Sequence, residues 1–160
     1  MRFFKAYLLP ILFVGFVVAV DQFTKFLAVR YLKPVREVVL IDGVFSLLYL
    51  ENTGMAFGLF QGGRWILIGL TVLILGLLTY YYITLPKTRW IKVYRVLFLM
   101  IIGGALGNFI DRLLHGFVVD FFYFSLINFP VFNMADVFLV VSAVTLIVLA
   151  IFTKDGRSSV

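Results

Sequence analysis

The chain has 160 residues, of which 63% are hydrophobic and 14% charged, with a mean hydropathy of +1.10 and a net charge of +6. These values lie outside the range of soluble domains and place the chain in a membrane. It has no cysteine, which excludes disulfides, thiolate catalysis and cysteine-ligated metals. The positive charge collects at the ends of apolar segments, as orientation signals do, and argues against a nucleic-acid partner.

A hydrocarbon core about 30 Å thick requires roughly 20 apolar residues in a helix, and helices are expected over residues 6–28, 65–85, 92–114 and 133–153. The first carries Asp21 and Lys25 near its far end. A cleavable signal peptide is the alternative, but Asp21-Gln22 follows the apolar run where a small-x-small site would be needed; a retained helix is expected. Residues 32–63 are too polar to span. They contain REVVLIDGVFSLLYLEN, two β-rich runs flanking Asp42-Gly43, a strong hairpin signal that predicts a small sheet at the outer surface. Asn52-Thr53-Gly54 and the glycine-punctuated tract MAFGLFQGG follow, implying tight turns.

The third helix carries Gly103, Gly104, Ala105 and Gly107, so that small residues recur three and four apart on one face, a spacing that packs membrane helices closely. The fourth takes Asp136 into its first turn, with Asn133 as a possible cap three residues earlier. Four crossings put both termini on one side. Arg2, Lys5, Lys87, Arg89, Lys92, Arg95, Lys154 and Arg157 outnumber Arg30, Lys33, Arg36, Arg64 and Arg112 of the other connections, so that side is predicted to be cytoplasmic. A single integral membrane domain over residues 1–160 accounts for all of this.

A charge at the bilayer centre costs about 2.5–3.5 kcal/mol on insertion scales and less towards the interface, so intramembrane carboxylates raise a functional question. Asp21 and Lys25, four apart with the acid first, form either a structural ion pair or part of a site. Asn108, Asp111 and Arg112 gather at the end of the third helix, where they either anchor a loop or bind a substrate carbonyl or headgroup. Taken singly, Asp120 is a solvated loop carboxylate and Asp136 a helix N-terminal acid. Taken together, with the segment between them folded back at Pro130, they form a pair that cannot readily hold two negative charges in an apolar setting. One then keeps a proton while the other is a base, the condition for aspartic-protease chemistry. The sole histidine, His115, leaves no HExxH pair, and no G-x-S-x-G elbow is present. A small transporter or ion-coupled channel is the rival reading, and a membrane scaffold a second; Asp21, Asp111, Asp120 and Asp136 all map to the same outer end, away from the mid-bilayer position an ion relay needs.

The segments DQFTK (21–25), ENTGMAFGLF (51–60), GGALGNFIDR (103–112), GFVVDFF (116–122) and FNMAD (132–136) resemble the lipoprotein signal peptidases, also called signal peptidase II, in the family's order and over nearly the whole chain. The resemblance implies a mainly α membrane protein: four transmembrane helices, a small extracytoplasmic sheet (the β-cradle) between helices 1 and 2, and a periplasmic loop or helix over residues 115–131 covering the site. It implies a bacterial inner-membrane aspartic endopeptidase, with termini in the cytoplasm and the site near the periplasmic face, that removes the signal peptide of diacylglyceryl-modified prolipoproteins just before the lipidated cysteine. Asp120 and Asp136 would be catalytic, supported by Asp21, Lys25, Asn52, Gly54, Asn108, Asp111, Arg112 and Asn133. The implied partners are the lipidated prolipoprotein and membrane lipids, compatible with a monomer, and the chemistry calls for no metal or organic cofactor. Phe121, Phe122, Phe124, Phe129 and Phe132 would either line a path for acyl chains or form an interfacial aromatic belt.

Overall fold

A computed structural model describes residues 2–55, 59–86 and 88–152. Residues 56–58 of the glycine-punctuated tract, and the basic residues Lys87, Lys154 and Arg157, lie outside the described residues. Four helices are long and apolar enough to cross a membrane. Helix α1 spans Arg2–Leu27 and contains Pro10; α2 spans Arg64–Thr84, α3 Ile91–Leu114 and α4 Met134–Phe152. The protein is therefore a mainly helical membrane protein, completed by a three-stranded antiparallel sheet of β1 (Glu37–Ile41), β2 (Phe45–Asn52) and β3 (Val118–Tyr123) in spatial order β1-β2-β3.

The first helical path runs beyond the expected end at residue 28. After Leu27 it widens into a π-helical turn, Ala28–Leu32, closed by Lys33 N–H donating to the Ala28 carbonyl at 2.9 Å. Packing supplies the reason: Ala28 and Leu32 are buried in a cluster with Tyr49, Val119 and Phe121, so the extension brings this end of α1 against the sheet. The hairpin forms at Asp42-Gly43 as its signal predicts. Gly43 adopts φ +65° and Val44 N–H donates to the Ile41 carbonyl at 3.0 Å; a side chain at that φ would be strained.

The segment after α3 departs from expectation. Residues 118–123 form a strand paired to β2, with Leu50 opposite Asp120 and Asn52 opposite Val118, where a loop carrying Asp120 was expected. The covering helix reduces to a single 3-10 turn, Ser125–Ile127. Val118, Val119, Phe121 and Phe122 are residues that favour strands, and β2 offers them an edge to pair with. Phe132 extends the pairing: its N–H donates to the Phe122 carbonyl at 3.0 Å and its carbonyl accepts from Phe122 N–H at 2.8 Å. The chain is thus folded back on itself from Asp120 to Asp136.

Helix α3 is the hub, packing on α1, α2 and α4. Its small residues permit this. A Cβ at Gly103 would lie 2.6 Å from Val17 Cγ1, one at Gly104 would lie 2.6 Å from the Ala135 carbonyl oxygen, and one at Gly107 would strike the Asp21 carboxylate. Without bulk on this face, α1 and α4 approach the α3 backbone closely, as expected for helices that lack a hydrophobic driving force between them. The Leu, Ile and Val side chains of α2 and α4 point largely outward, as a lipid solvent allows.

Candidate active site

Polar side chains from α1, α3, β2, β3 and the start of α4 converge at one end of the bundle. Lys25 is 3% exposed and all three of its ammonium donors are engaged: Asp21 Oδ2 at 2.8 Å, Asp111 Oδ2 at 3.0 Å and Asn108 Oδ1 at 2.9 Å. The i,i+4 pair read from the sequence is present, and Asp111 joins it from α3. Each carboxylate also reaches a second element. Asp21 Oδ1 accepts the Ala135 N–H at 2.9 Å, meeting one of the unpaired donors at the start of α4. Asp111 Oδ2 accepts the Val119 N–H at 3.3 Å on β3. Gln22 closes the group by donating to Asp111 Oδ1 at 2.9 Å and Asp21 Oδ2 at 3.2 Å. One buried cation thus fastens the strand that carries Asp120 and the helix that carries Asp136.

Asn133 caps α4. Its Oδ1 accepts the Asp136 N–H at 3.0 Å and its own N–H donates to Asp136 Oδ2 at 3.1 Å, a reciprocal capping box. Because Oδ1 faces a backbone donor, Nδ2 must point the other way, and it donates to Asp120 Oδ1 at 2.6 Å and Asn108 Oδ1 at 3.1 Å. The same logic orients Asn108. An ammonium can only donate, so Lys25 fixes Oδ1 and leaves Nδ2 to donate to Asp136 Oδ1 at 2.9 Å. Asn52, whose Oδ1 accepts the Gly54 N–H at 2.9 Å, donates through Nδ2 to Asp120 Oδ2 at 2.9 Å. All four carboxylate oxygens of Asp120 and Asp136 therefore accept a hydrogen bond from a donor whose orientation is itself fixed.

Both carboxylates open onto a cavity of ≈ 370 Å³, lined on its polar side by Asn52, Asn108 and Arg112 and on its apolar side by Val118, Phe129, Phe132, Val137 and Val141 among others. Arg112 donates to the Gly54 carbonyl at 2.9 Å, holding the turn that follows Asn52 at the end of β2. Asp120 is 2% exposed, which rules out the solvated loop carboxylate considered for it alone. Burial, and next the neighbouring Asp136, push its carboxyl up to about 7, while the bonds from Asn52 and Asn133 pull in the opposite direction. At neutral pH such a group exchanges a proton readily, which suits general acid–base work.

All ten residues singled out from the sequence lie in this cluster. Asp120, Asp136, Asn52, Asn108 and Arg112 line the cavity; Asn133 bridges the two acids; Gly54 takes its place through its backbone; and Asp21, Lys25 and Asp111 form the fastening behind them. Gln22 was not foreseen, although its place inside DQFTK beside Asp21 was a usable signal. The five phenylalanines separate. Phe129 and Phe132 line the cavity, Phe121 and Phe122 line a second, apolar groove with Leu27, Ala28 and Leu47, and Phe124 stacks on Phe132. His115 is exposed and contacts the Phe117 ring.

A membrane bundle that gathers two hydrogen-bonded carboxylates at the wall of a largely apolar cavity defines a multi-pass membrane protein with an enzyme-like site. The family model described as signal peptidase (SPase) II matches residues 13–152. A lipoprotein signal peptidase of Caldanaerobacter subterraneus subsp. tengcongensis is 46% identical over 92% of this chain and 99% of its own, and one of Clostridioides difficile is 41% identical over 92% and 98%. A solved structure described as a bacterial membrane enzyme, determined by the in meso method at 2.3 Å resolution, superposes with a TM-score of 0.81 at 30% identity over 96% of this chain and 94% of that one. The chain belongs to the signal peptidase II family, the lipoprotein signal peptidases, and is a multi-pass bacterial membrane peptidase.

Proposed function

We propose that this protein is an aspartic endopeptidase that cleaves diacylglyceryl-modified prolipoproteins immediately before the lipidated cysteine, with Asp120 and Asp136 as the catalytic pair. The observation that carries the proposal is that these two acids face one cavity and share Asn133 as a bridge. Asp120 holds the shared proton at the start of the cycle and Asp136 is the base. As water adds to the scissile carbonyl carbon, one water proton passes to Asp136 while the proton of Asp120 passes to the carbonyl oxygen, giving a neutral gem-diol. Collapse breaks the C–N bond: Asp136 gives its proton to the leaving nitrogen, and Asp120 recovers one from a diol hydroxyl. The pair ends as it began, with no covalent intermediate.

A signal peptide enters as a membrane helix whose peptide groups are already paired, so cleavage requires a locally unwound stretch and substitute polar partners. Asn52, Asn108 and Arg112 face the cavity to provide them, and the apolar wall of Phe129, Phe132, Val137 and Val141 suits lipid chains. The excess of basic residues at the termini and between α2 and α3 supports a cytoplasmic position for both termini and an outer position for this site. Asp120→Asn and Asp136→Asn, each checked for insertion and abundance, are assayed by gel shift of a lipid-modified prolipoprotein. Loss of processing in both is expected, and near wild-type processing by either one overturns the two-aspartate mechanism.

A further inference from the structure

A further cavity lies at the far end of the bundle. It measures ≈ 600 Å³ and opens between α1 and α2, floored by Leu99 and Ile102 of α3, with Tyr7, Ile11 and Tyr82 on its walls and Arg95 at its rim. Arg95 stands sixteen positions before Asp111 on the same helix, about 24 Å along the axis at ~1.5 Å per residue, so this cleft and the carboxylate pair face opposite membrane surfaces. It has no part in the chemistry proposed above.

Arg95 is exposed, and among the described residues it makes no ion pair or hydrogen bond. Among the described residues no acid meets it: none occurs in residues 2–20, 64–86, 88–110 or 137–152, and Asp155 lies outside the described residues. Arg89 and Lys92 add to a field of one sign. A guanidinium at a membrane surface and at the edge of an apolar cleft has the donor geometry for a phosphate and the wall for an acyl chain.

We propose that this cleft binds one anionic phospholipid, its phosphate on Arg95 and an acyl chain lying between α1 and α2 on Leu99 and Ile102. The lipid supplies a countercharge that the described residues do not, and fills the cleft that α1 and α2 leave above α3. Arg95→Gln tests it, with Arg95→Lys retaining charge but not the planar fork, and Arg89→Gln as a control outside the cleft. The purified proteins in detergent are titrated with an equimolar mixture of phosphatidylglycerol and phosphatidylcholine of identical chains, and retained lipid is read by native mass spectrometry. The wild type and Arg89→Gln are expected to retain phosphatidylglycerol about tenfold over phosphatidylcholine, Arg95→Lys less selectively, and Arg95→Gln without preference. Prolipoprotein processing by Arg95→Gln in detergent reports that the variant is folded. Equal retention of the two lipids by the wild type, or undiminished selectivity in a folded Arg95→Gln, overturns the proposal.

Discussion

Replacing Asn52 with Leu should carry activity further into alkaline conditions. The Asn52 amide donates to Asp120 Oδ2 at 2.9 Å and stabilises the ionised carboxylate, opposing the burial and the Asp136 charge that push Asp120 up to about 7. A hydrogen bond to a charged group is worth roughly 1.5–3 kcal/mol, and ~1.36 kcal/mol corresponds to one pH unit. Its removal should therefore raise Asp120 by about one to two pH units. If Asp120 must be protonated to act as the acid, the wild-type rate falls as pH rises through about 7, and in Asn52→Leu the same fall occurs about one to two pH units higher. Single-turnover cleavage of a lipidated prolipoprotein between pH 5 and 10 measures this. The maximal rate will drop where Asn52 also touches substrate, but the position of the limb is independent of its height. An alkaline limb that stays put, or moves to lower pH, refutes the assignment of Asp120 as the acid. The sign for stability is distinct. With the folded group raised above its unfolded value of 3.8 to about 7, the folded state binds the extra proton, so this contribution is complete below about 4 and declines as pH climbs towards 7.

Lys25→Met leaves Asp21 and Asp111 facing each other without their cation, and breaking a buried ion group in this way costs about 3–5 kcal/mol; unfolding in mixed micelles should show it, Lys25→Met/Asp111→Asn should recover part of it, and a loss below about 1 kcal/mol would count against the fastening role. Gly104→Leu drives a side chain into the Ala135 carbonyl, 2.6 Å from its Cβ position, and should cost about 1–3 kcal/mol together with most of the activity, since α4 must move and takes Asp136 with it; an active, fully stable variant would show that the contact is soft. Ser142 is fully buried and its hydroxyl has no partner among the described residues, so Ser142→Ala should leave stability unchanged or raise it by about 1 kcal/mol, measured in the same unfolding assay; a clear loss would reveal a partner for the hydroxyl.

Much of this architecture is legible in the sequence because the relevant signals are local. Helix existence follows from uncharged runs long enough to span, the hairpin from Asp42-Gly43, the close packing of α3 from Gly103, Gly104 and Gly107, and the cap of α4 from the three-residue spacing of Asn133 and Asp136. Strand β3 was hidden for a physical reason. Residues 118–121 are buried without interruption, so the run shows no alternation of polar and apolar positions from which a strand is read. Its partner β2 lies some seventy positions away, beyond any local pattern. Lys25 shows the same limit: its contact with Asp21 was readable from helix geometry, whereas those with Asp111 and Asn108 join different helices and emerge only from packing.

Asn133 both starts α4 and holds Asp120 through one short side chain. That double use has a consequence for biosynthesis. Of the four helices, α4 leaves the ribosome last, so a chain still emerging has β3 and the Asn52 amide but neither the Asn133 amide that bonds the second oxygen of Asp120 nor Asp136. If Asp120 and Asp136 are the catalytic pair, a nascent chain is inert until its last crossing is in place, and proteolytic competence arrives together with completed insertion.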